Sequence, residues 1–321
     1  MARARYAIAV DVGATKVLCA VVMSDGRIIS SRKEPTVRKD AVSLVSQITR
    51  LIEDRSRLSG LDEASIKGVG IAVPGIVESK TGVVVWAPNL PGWRDRPLEK
   101  MLSEDFCIGV PIFVEDDRVA SILGEQWLGS ARGTRNAIYI IIGTGIGAGI
   151  LVDGKPYKGS MVAGAIGWTL LGKDFMNQIY DVGCLEHFAS GPNIARRAIE
   201  RVRKGAGTVM MAMVGNESDR ITSEVVFEAA RKGDKIALDI VKETAQYLGI
   251  AVSNVVSILN PEIVVIGGGV GEASDLLLGD IADIVNSYAQ PYAAKQVRIV
   301  RSALGGNASL LGCARLVFTR A

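Results

Sequence analysis

The sequence predicts a two-domain α/β protein built on a repeated strand–turn–strand unit. Two runs rich in β-branched residues, Tyr6 to Lys16 (YAIAVDVGATK) and Ile138 to Gly149 (IYIIIGTGIGAG), each break into a turn of Gly and Thr. Other stretches, above all Asp40 to Leu58 and Asp234 to Ile258, carry the spacing or composition of helices. A chain of 321 residues, 48% of them apolar, is long enough for two cores.

The elements follow in order. Strands are expected over Tyr6 to Asp11, Lys16 to Met23 and Arg27 to Lys33, with Asp25-Gly26 as the hairpin turn. From Asp40 the apolar residues Val42, Leu44, Val45, Ile48, Leu51 and Ile52 fall on one helical face, and Ser59-Gly60 ends the run. Strand Ile66 to Val73 meets Pro74-Gly75, and Gly82 to Trp86 leads into Ala87 to Trp93, too rich in turn residues for a regular element. A helix from Leu98 to Glu104, a strand from Val110 to Val114 and a helix reaching Leu128 complete the first unit. The second repeats the pattern with strands over Ala137 to Ile142, Gly147 to Val152 and Lys155 to Tyr157. Helices then occupy Ser190 to Lys204, Ser223 to Lys232 and Asp234 to Ile258, with Asp or Ser at their starts. Strand Glu262 to Ile266 runs into Gly267-Gly268-Gly269, and a last helix spans Ala308 to Phe318.

Two Gly/Thr turns half a chain apart suggest paired loops facing one another across a cleft, a natural place for a polyphosphate. Glycine tolerates positive φ and lets successive amides converge on an anion. Thr15 and Thr144 add hydroxyl donors, and Asp11 stands beside Lys16 as a carboxylate that holds Mg²⁺ waters while the ammonium faces phosphate oxygens. For either loop alone, an ordinary hairpin is an equally good reading.

Other classes are excluded more readily. Gly143, Gly145 and Ala148 have dinucleotide-fold spacing, but Gly149 to Gly154 reads as a strand and turn, so no helix N-terminus is offered to a pyrophosphate. Gly149 to Pro156 and Gly167 to Asp174 approach a P-loop yet lack its Ser or Thr. With 37 basic against 34 acidic side chains and no basic cluster, charge points to neither nucleic acid nor an anionic membrane. Asp11 interrupts any signal-like apolar run, and the glycines of Ala137 to Val152 suit strands better than a membrane span, so a cytoplasmic protein is expected. Cys19, Cys107, Cys184 and Cys313 have neither disulfide nor zinc spacing.

Six motifs together resemble the ROK sugar kinases of the actin-like, sugar kinase and Hsp70 ATPase superfamily. They are DVGATK (Asp11 to Lys16), GIAVPGIVE (Gly70 to Glu78), NLPGW (Asn89 to Trp93), GTGIGAG (Gly143 to Gly149), GCLEHFASG (Gly183 to Gly191) and NPEIVVIGGG (Asn260 to Gly269). The resemblance implies two ribonuclease H-like α/β domains with an interdomain cleft, residues 1–115 plus 304–321 and residues 116–303, binding ATP-Mg²⁺ and a sugar. On the nucleotide side it implies Asp11 (to Mg²⁺ through water), Gly13, Thr15, Lys16, Gly143, Thr144, Gly145, Gly147, Gly267 and Gly268. On the sugar side it implies Gly75, Asn89, Asp116, Asp117 and Glu186, with Trp168 a further candidate as a stacking ring. The implied reaction is phosphoryl transfer from ATP to a hexose hydroxyl, the 6-hydroxyl of glucose or a relative, with Asp117 as general base and an N-cap as its plain alternative role. Amino sugars, N-acylated hexosamines and cyclitols are alternative acceptors. A non-catalytic sugar- or nucleotide-binding regulator is the alternative class, and a homodimer is usual in the family.

The departures from the pattern bear on the acceptor. Ala165-Ile166-Gly167-Trp168 stands where the family has Glu-x-Gly-His, and Asp116 replaces an Asn. Asp116 is then an acceptor for hydroxyl or amine donors, or the ion-pair partner of Arg118. Of the family's zinc ligands only Cys184 remains, so no zinc is expected, and an apolar plug of Phe175, Met176, Ile179 and Tyr180 is expected in its place. His187, the single histidine, is expected to be structural.

Overall fold

The computed structural model describes residues 5–58, 63–105, 109–176 and 182–321. In chain order these form β1 (Tyr6–Val12), β2 (Lys16–Met23), β3 (Ile28–Pro35), α1 (Ala41–Leu58), β4 (Ile66–Val73), β5 (Ile76–Glu78), β6 (Val83–Trp86), β7 (Arg94–Pro97), α2 (Leu98–Asp105), β8 (Ile112–Asp116) and α3 (Asp117–Leu128). There follow β9 (Ala137–Ile142), β10 (Ile146–Val152), β11 (Lys155–Pro156), α4 (Cys184–Ala189), α5 (Gly191–Arg203), α6 (Val209–Met213), α7 (Ser223–Arg231), α8 (Lys235–Leu259), β12 (Ile263–Gly267), α9 (Gly268–Gly271), α10 (Leu278–Tyr288), α11 (Pro291–Gln296), β13 (Arg298–Arg301) and α12 (Ala308–Arg320).

The first compact unit comprises residues 1–133, 156–163 and 307–321. Its sheet has the order β3-β2-β1-β4-β8. β1 pairs antiparallel with β2 and parallel with β4, which pairs parallel with β8. Strands buried on both faces need continuous apolar runs, and Ala7 to Val10 and Val69 to Val73 are buried without interruption. One core forms where Leu44, Ile48 and Leu51 of α1 meet Ile8, Val10 and Ile71.

Glycines let α3 and α12 approach closely. A Cβ at Gly312 would lie 1.7 Å from the Ala120 carbonyl oxygen, and one at Gly124 would lie 2.2 Å from that of Ala308. This contact explains a difference from the expected boundaries at 115/116 and 303/304. Helix α3 joins the first unit because its small residues dock on α12, and the unit extends to Gly133.

The second unit comprises residues 134–155 and 164–306 and carries the order β11-β10-β9-β12-β13. Its pairings repeat those of the first: β9 antiparallel with β10 and parallel with β12, and β12 parallel with β13. The long helix α8 starts where the Asp234 side chain accepts from the Ala237 amide (2.9 Å). It stops where Asn260 turns left-handed (φ 44°) ahead of Pro261. Strands β5, β7 and β13 and helices α4, α6, α9, α10 and α11 are not among the expected elements, α9 starting inside the expected Gly267-Gly268-Gly269 loop, whereas the Ala87 to Trp93 segment is the irregular turn its composition predicts.

Candidate active site

In the first unit, β8 delivers Glu115-Asp116 to the start of α3. The cap of that helix is Asp116, whose Oδ1 accepts from the Arg118 amide (2.8 Å), so Asp117 is the first helical residue and not the cap. The plain alternative for Asp117 therefore belongs to its neighbour. Asp117 is partly buried, and burial first, then the charge of Asp116 and more weakly that of Asp11, pushes its carboxyl well above the usual range; Arg118 opposes them. A carboxyl tuned in this direction is a better proton acceptor near neutral pH.

Asp116 is almost fully buried (2% exposed), and both its oxygens are occupied. Arg118 Nε donates to Oδ1 (2.8 Å) and Oδ2 (3.0 Å), and Nη2 donates both to Oδ2 and to the Gly75 carbonyl (3.4 Å). Of the two expectations for Asp116, the geometry matches the ion pair. Gly75 itself requires glycine: its φ is +119°, and a Cβ there would lie 2.1 Å from the Trp86 carbonyl oxygen. Asn89 is exposed in the turn between β6 and β7.

Beside this junction lies a network that sequence reasoning missed. The Glu115 carboxylate, 1% exposed, accepts from Ser79 Oγ (2.6 Å), its neighbouring Asp116 amide (3.0 Å), Arg320 Nη2 (3.3 Å) and Lys158 Nζ. Lys158 also donates to the Val77 carbonyl (3.2 Å) and bonds Ser79. No local signal in Lys155-Pro-Tyr-Lys158 marks a partner 43 residues earlier.

At the C-terminal end of β1, at the same end of the sheet as Glu115, Asp11 Oδ1 accepts from Ser309 Oγ of α12 (2.8 Å). Burial raises the Asp11 carboxyl, while Ser309 and Lys16 hold it down. The turn that follows closes with the Gly13 amide donating to the Lys16 carbonyl (2.8 Å), and Thr36 Oγ1 donates to the Gly13 carbonyl (2.7 Å). Thr15 and Lys16 are exposed.

In the second unit, the matching turn joins β9 to β10, with the Gly143 amide bonded to the Gly145 carbonyl (2.9 Å) and Thr144 exposed at its tip. Space around Gly143 is open, with nothing within 4 Å of the point where a Cβ would stand. Gly147 is instead a buried strand residue opposite Ile141, away from the turn. The expected positive φ is not adopted by Gly13, Gly143, Gly145 or Gly147; among the site glycines only Gly75 and Gly268 (φ 83°) have it. These turns close through backbone bonds across two or three residues, with no glycine of theirs in the left-handed region. Gly267 and Gly268 are needed for closeness: a Cβ would fall 2.0 Å from the Tyr139 hydroxyl or 2.5 Å from the Ile142 carbonyl oxygen.

Glu186, in α4, accepts from the Ile146 amide at the end of the same turn (2.7 Å), and burial raises its carboxyl against that bond. Gly167 packs beneath it, its missing Cβ leaving 3.2 Å to Glu186 Oε2. Next to Gly167, Trp168 is 62% exposed, so its ring is not part of a core. The expected apolar plug is only partly formed. Phe175 stacks edge-on against Phe188 (5.0 Å) and Tyr247 (6.3 Å), but Met176 is 68% exposed, and Ile179 and Tyr180 lie outside the described residues. The difference arises because α8 supplies an aromatic partner, Tyr247, that covers the ring without Met176. His187 stacks on Phe188 (5.0 Å) and lies 3.2 Å from Arg196 Nη2, a structural setting.

Among the described residues no group of three or more His, Cys, Asp or Glu is placed to hold a metal ion, and no helix is long and apolar enough to cross a membrane. Asp11 nevertheless suits a Mg²⁺ ion shared with a polyphosphate. Ser309 occupies one carboxylate oxygen, and a single carboxylate with waters and phosphate oxygens is a common Mg²⁺ set.

Two units with the same five-strand order and the same pairing directions, each carrying a glycine turn between its first two strands, define an actin-like α/β phosphotransferase fold. Residues 7–320 match the ROK family, and the chain belongs to it. It is 35% identical to a glucokinase of Halalkalibacterium halodurans, over 98% of this chain and 95% of that one. Among solved structures it is similar to a ROK family glucokinase from Streptomyces griseus in complex with glucose and AMPPNP (30% identity, TM-score 0.84, 98% of this chain and 99% of that one). It is also similar to a ROK family transcriptional regulator (25% identity, TM-score 0.86), covering 98% of this chain and 78% of the regulator.

Proposed function

We propose that this chain is an ATP-dependent hexose kinase of the glucokinase type, transferring the γ-phosphoryl group of ATP to the 6-hydroxyl of glucose or a related hexose. The observation that carries the reading is Asp117: a carboxyl freed from capping by Asp116, raised by burial, at a strand end in a family that includes glucokinases. The acceptor hydroxyl gives its proton to Asp117 while its oxygen attacks the γ-phosphorus; the bond from that phosphorus to the β–γ bridging oxygen breaks, and ADP leaves with the electron pair.

Each remaining residue has a role in positioning. Gly75, Asn89 and Glu186 orient the sugar, and exposed Trp168 offers an aromatic face to its C–H surface. Thr15, Lys16, Thr144 and the backbone of Gly13, Gly143 and Gly145 hold phosphates, and Gly267 and Gly268 lie under the adenosine. When bound through water at Asp11, Mg²⁺ supplies charge neutralisation on the phosphates. Ala165, which leaves a site without a carboxylate, widens the acceptor range towards amino sugars, N-acylated hexosamines or cyclitols.

A coupled ADP-release assay over a panel of these sugars tests the reading. Sugar-dependent turnover in wild type with loss in Asp117→Asn is the expected result. Sugar binding without ATP turnover would instead make the chain a non-catalytic regulator; one solved relative is a ROK family transcriptional regulator.

A further inference from the structure

We propose that Arg118 is a positioning residue for phosphoryl transfer, bolting the β8–α3 junction to the Gly75 turn and neutralising Asp116 so that Asp117 alone is left to accept the proton. The inference rests on the reading of Asp117 as the base and goes beyond it by assigning a task to a neighbouring cation.

Three features of the geometry carry it. The guanidinium is forked over its partner, with Nε reaching both oxygens of Asp116 (2.8 and 3.0 Å) and Nη2 bonded to Oδ2, which is the planar pairing that only arginine makes. The same Nη2 donates to the Gly75 carbonyl (3.4 Å), 43 residues away, so one side chain ties together two turns that both carry proposed acceptor-binding residues. The pair is also sheltered, with side-chain exposures of 13% for Arg118 and 3% for Asp116, so its attraction is weakly screened.

Without the cation, two adjacent carboxylates would share one desolvated corner, and a proton would be held by the pair in place of leaving Asp117 free to take one. The titratable groups around Asp117 are Asp116 and Arg118 on its own segment, Asp11 at the end of β1 and Cys313 of α12, whose buried thiol is held well above its ordinary value and so stays neutral. Glu115, which also faces Arg118, already has Lys158 and Arg320 as partners. Arg118 is therefore the cation that directly pairs the carboxylate next to the base.

The test compares wild type, Arg118→Met, Asp116→Asn, the Arg118→Met/Asp116→Asn double variant and Arg118→Lys. The readouts are kcat/KM against pH with ATP and glucose, or the best sugar of the panel, and thermal melting. Arg118→Met should lower kcat and move the acid limb upward by about one unit or more, as expected for removing a cation within a few ångströms. Asp116→Asn should move the limb the other way, and the double variant should return it close to the wild-type position. A limb unmoved in Arg118→Met, or still displaced in the double variant, overturns the proposal.

Should Arg118→Met not fold, Arg118→Lys decides. It keeps the charge and loses the fork, so kcat should fall with the limb in place, and a wild-type kcat counts against positioning. Asp117→Asn separates the two layers: full activity there overturns the base reading itself, whereas an inactive Asp117→Asn with an unmoved limb overturns only the role of Arg118. A wild-type protein that phosphorylates no sugar overturns both.

Discussion

Ser309, in the last helix, donates a 2.8 Å hydrogen bond to Asp11 at the end of the first strand, 298 residues away. Asp11 is desolvated, and Ser309 is the largest influence holding its carboxyl towards the charged form. Ser309→Ala should therefore raise the Asp11 carboxyl further and weaken its hold on a hydrated cation. The expected outcome is a higher Mg²⁺ requirement in the kinase assay and about 1.5–3 kcal/mol less stability in urea, the usual range for a bond to a charged group. Unchanged Mg²⁺ titration curves would remove Asp11 from the metal.

Asp117→Asn should separate activity from stability. Because the folded-state carboxyl sits well above 3.8, the folded protein binds more protons than the unfolded chain between the two values. Stability contributed by this group is greatest at low pH and falls as pH rises through that window. Asn removes the effect, so the variant should melt at or above the wild-type temperature at pH 7 while kcat drops about 10²- to 10⁴-fold. A variant that melts well below wild type at pH 7 would show Asp117 to be a structural acid instead.

Gly312→Ala probes the packing that assigns α3 to the first unit. The added Cβ would sit 1.7 Å from the Ala120 carbonyl oxygen, a contact that backbone on both sides resists. A loss of about 1–3 kcal/mol or more is expected in denaturant melts. A melting curve matching wild type would mean that the two helices do not approach this closely.

Trp168→Ala tests the exposed ring. At 62% exposure its removal should leave the melting temperature within about a degree, since surface substitutions change stability by only about 0.5 kcal/mol. If the ring stacks on sugar, KM for the hexose should rise about 3- to 10-fold with little change in KM for ATP, in line with about 0.5–1.5 kcal/mol for such contacts. Equal KM values in both proteins would leave Trp168 without a substrate role.

Much of this was legible along the chain, and the omissions have local causes. The strands Tyr6–Val12, Lys16–Met23 and Ala137–Ile142 announce themselves by their apolar, β-branched composition, and helix Lys235–Leu259 by its Asp234 start and Asn260-Pro261 stop. Strand Arg94–Pro97 (RDRP) is mostly exposed and charged, so neither apolar alternation nor composition marks it; it exists because β6 offers a ladder. Strand Arg298–Arg301 likewise has two apolar residues between arginines and is completed by parallel pairing with β12. At the site, the positive φ expected from glycine was right for Gly75 and Gly268 and not for Gly13 or Gly143, because a glycine in sequence does not reveal whether conformation or closeness requires it.

By itself the sequence determined the alternation of elements, the two glycine turns and the residue types at the ends of β1, β8 and β9, since periodicity, capping and turn chemistry act over a few residues. Only the tertiary structure decided who pairs with whom: Asp11 with Ser309, Arg118 with the Gly75 carbonyl, Lys158 with Glu115, and Trp168 with solvent. Those outcomes depend on which backbones pack together and which groups lose water in doing so. That is a property of distant segments brought within a few ångströms, and no local pattern encodes it.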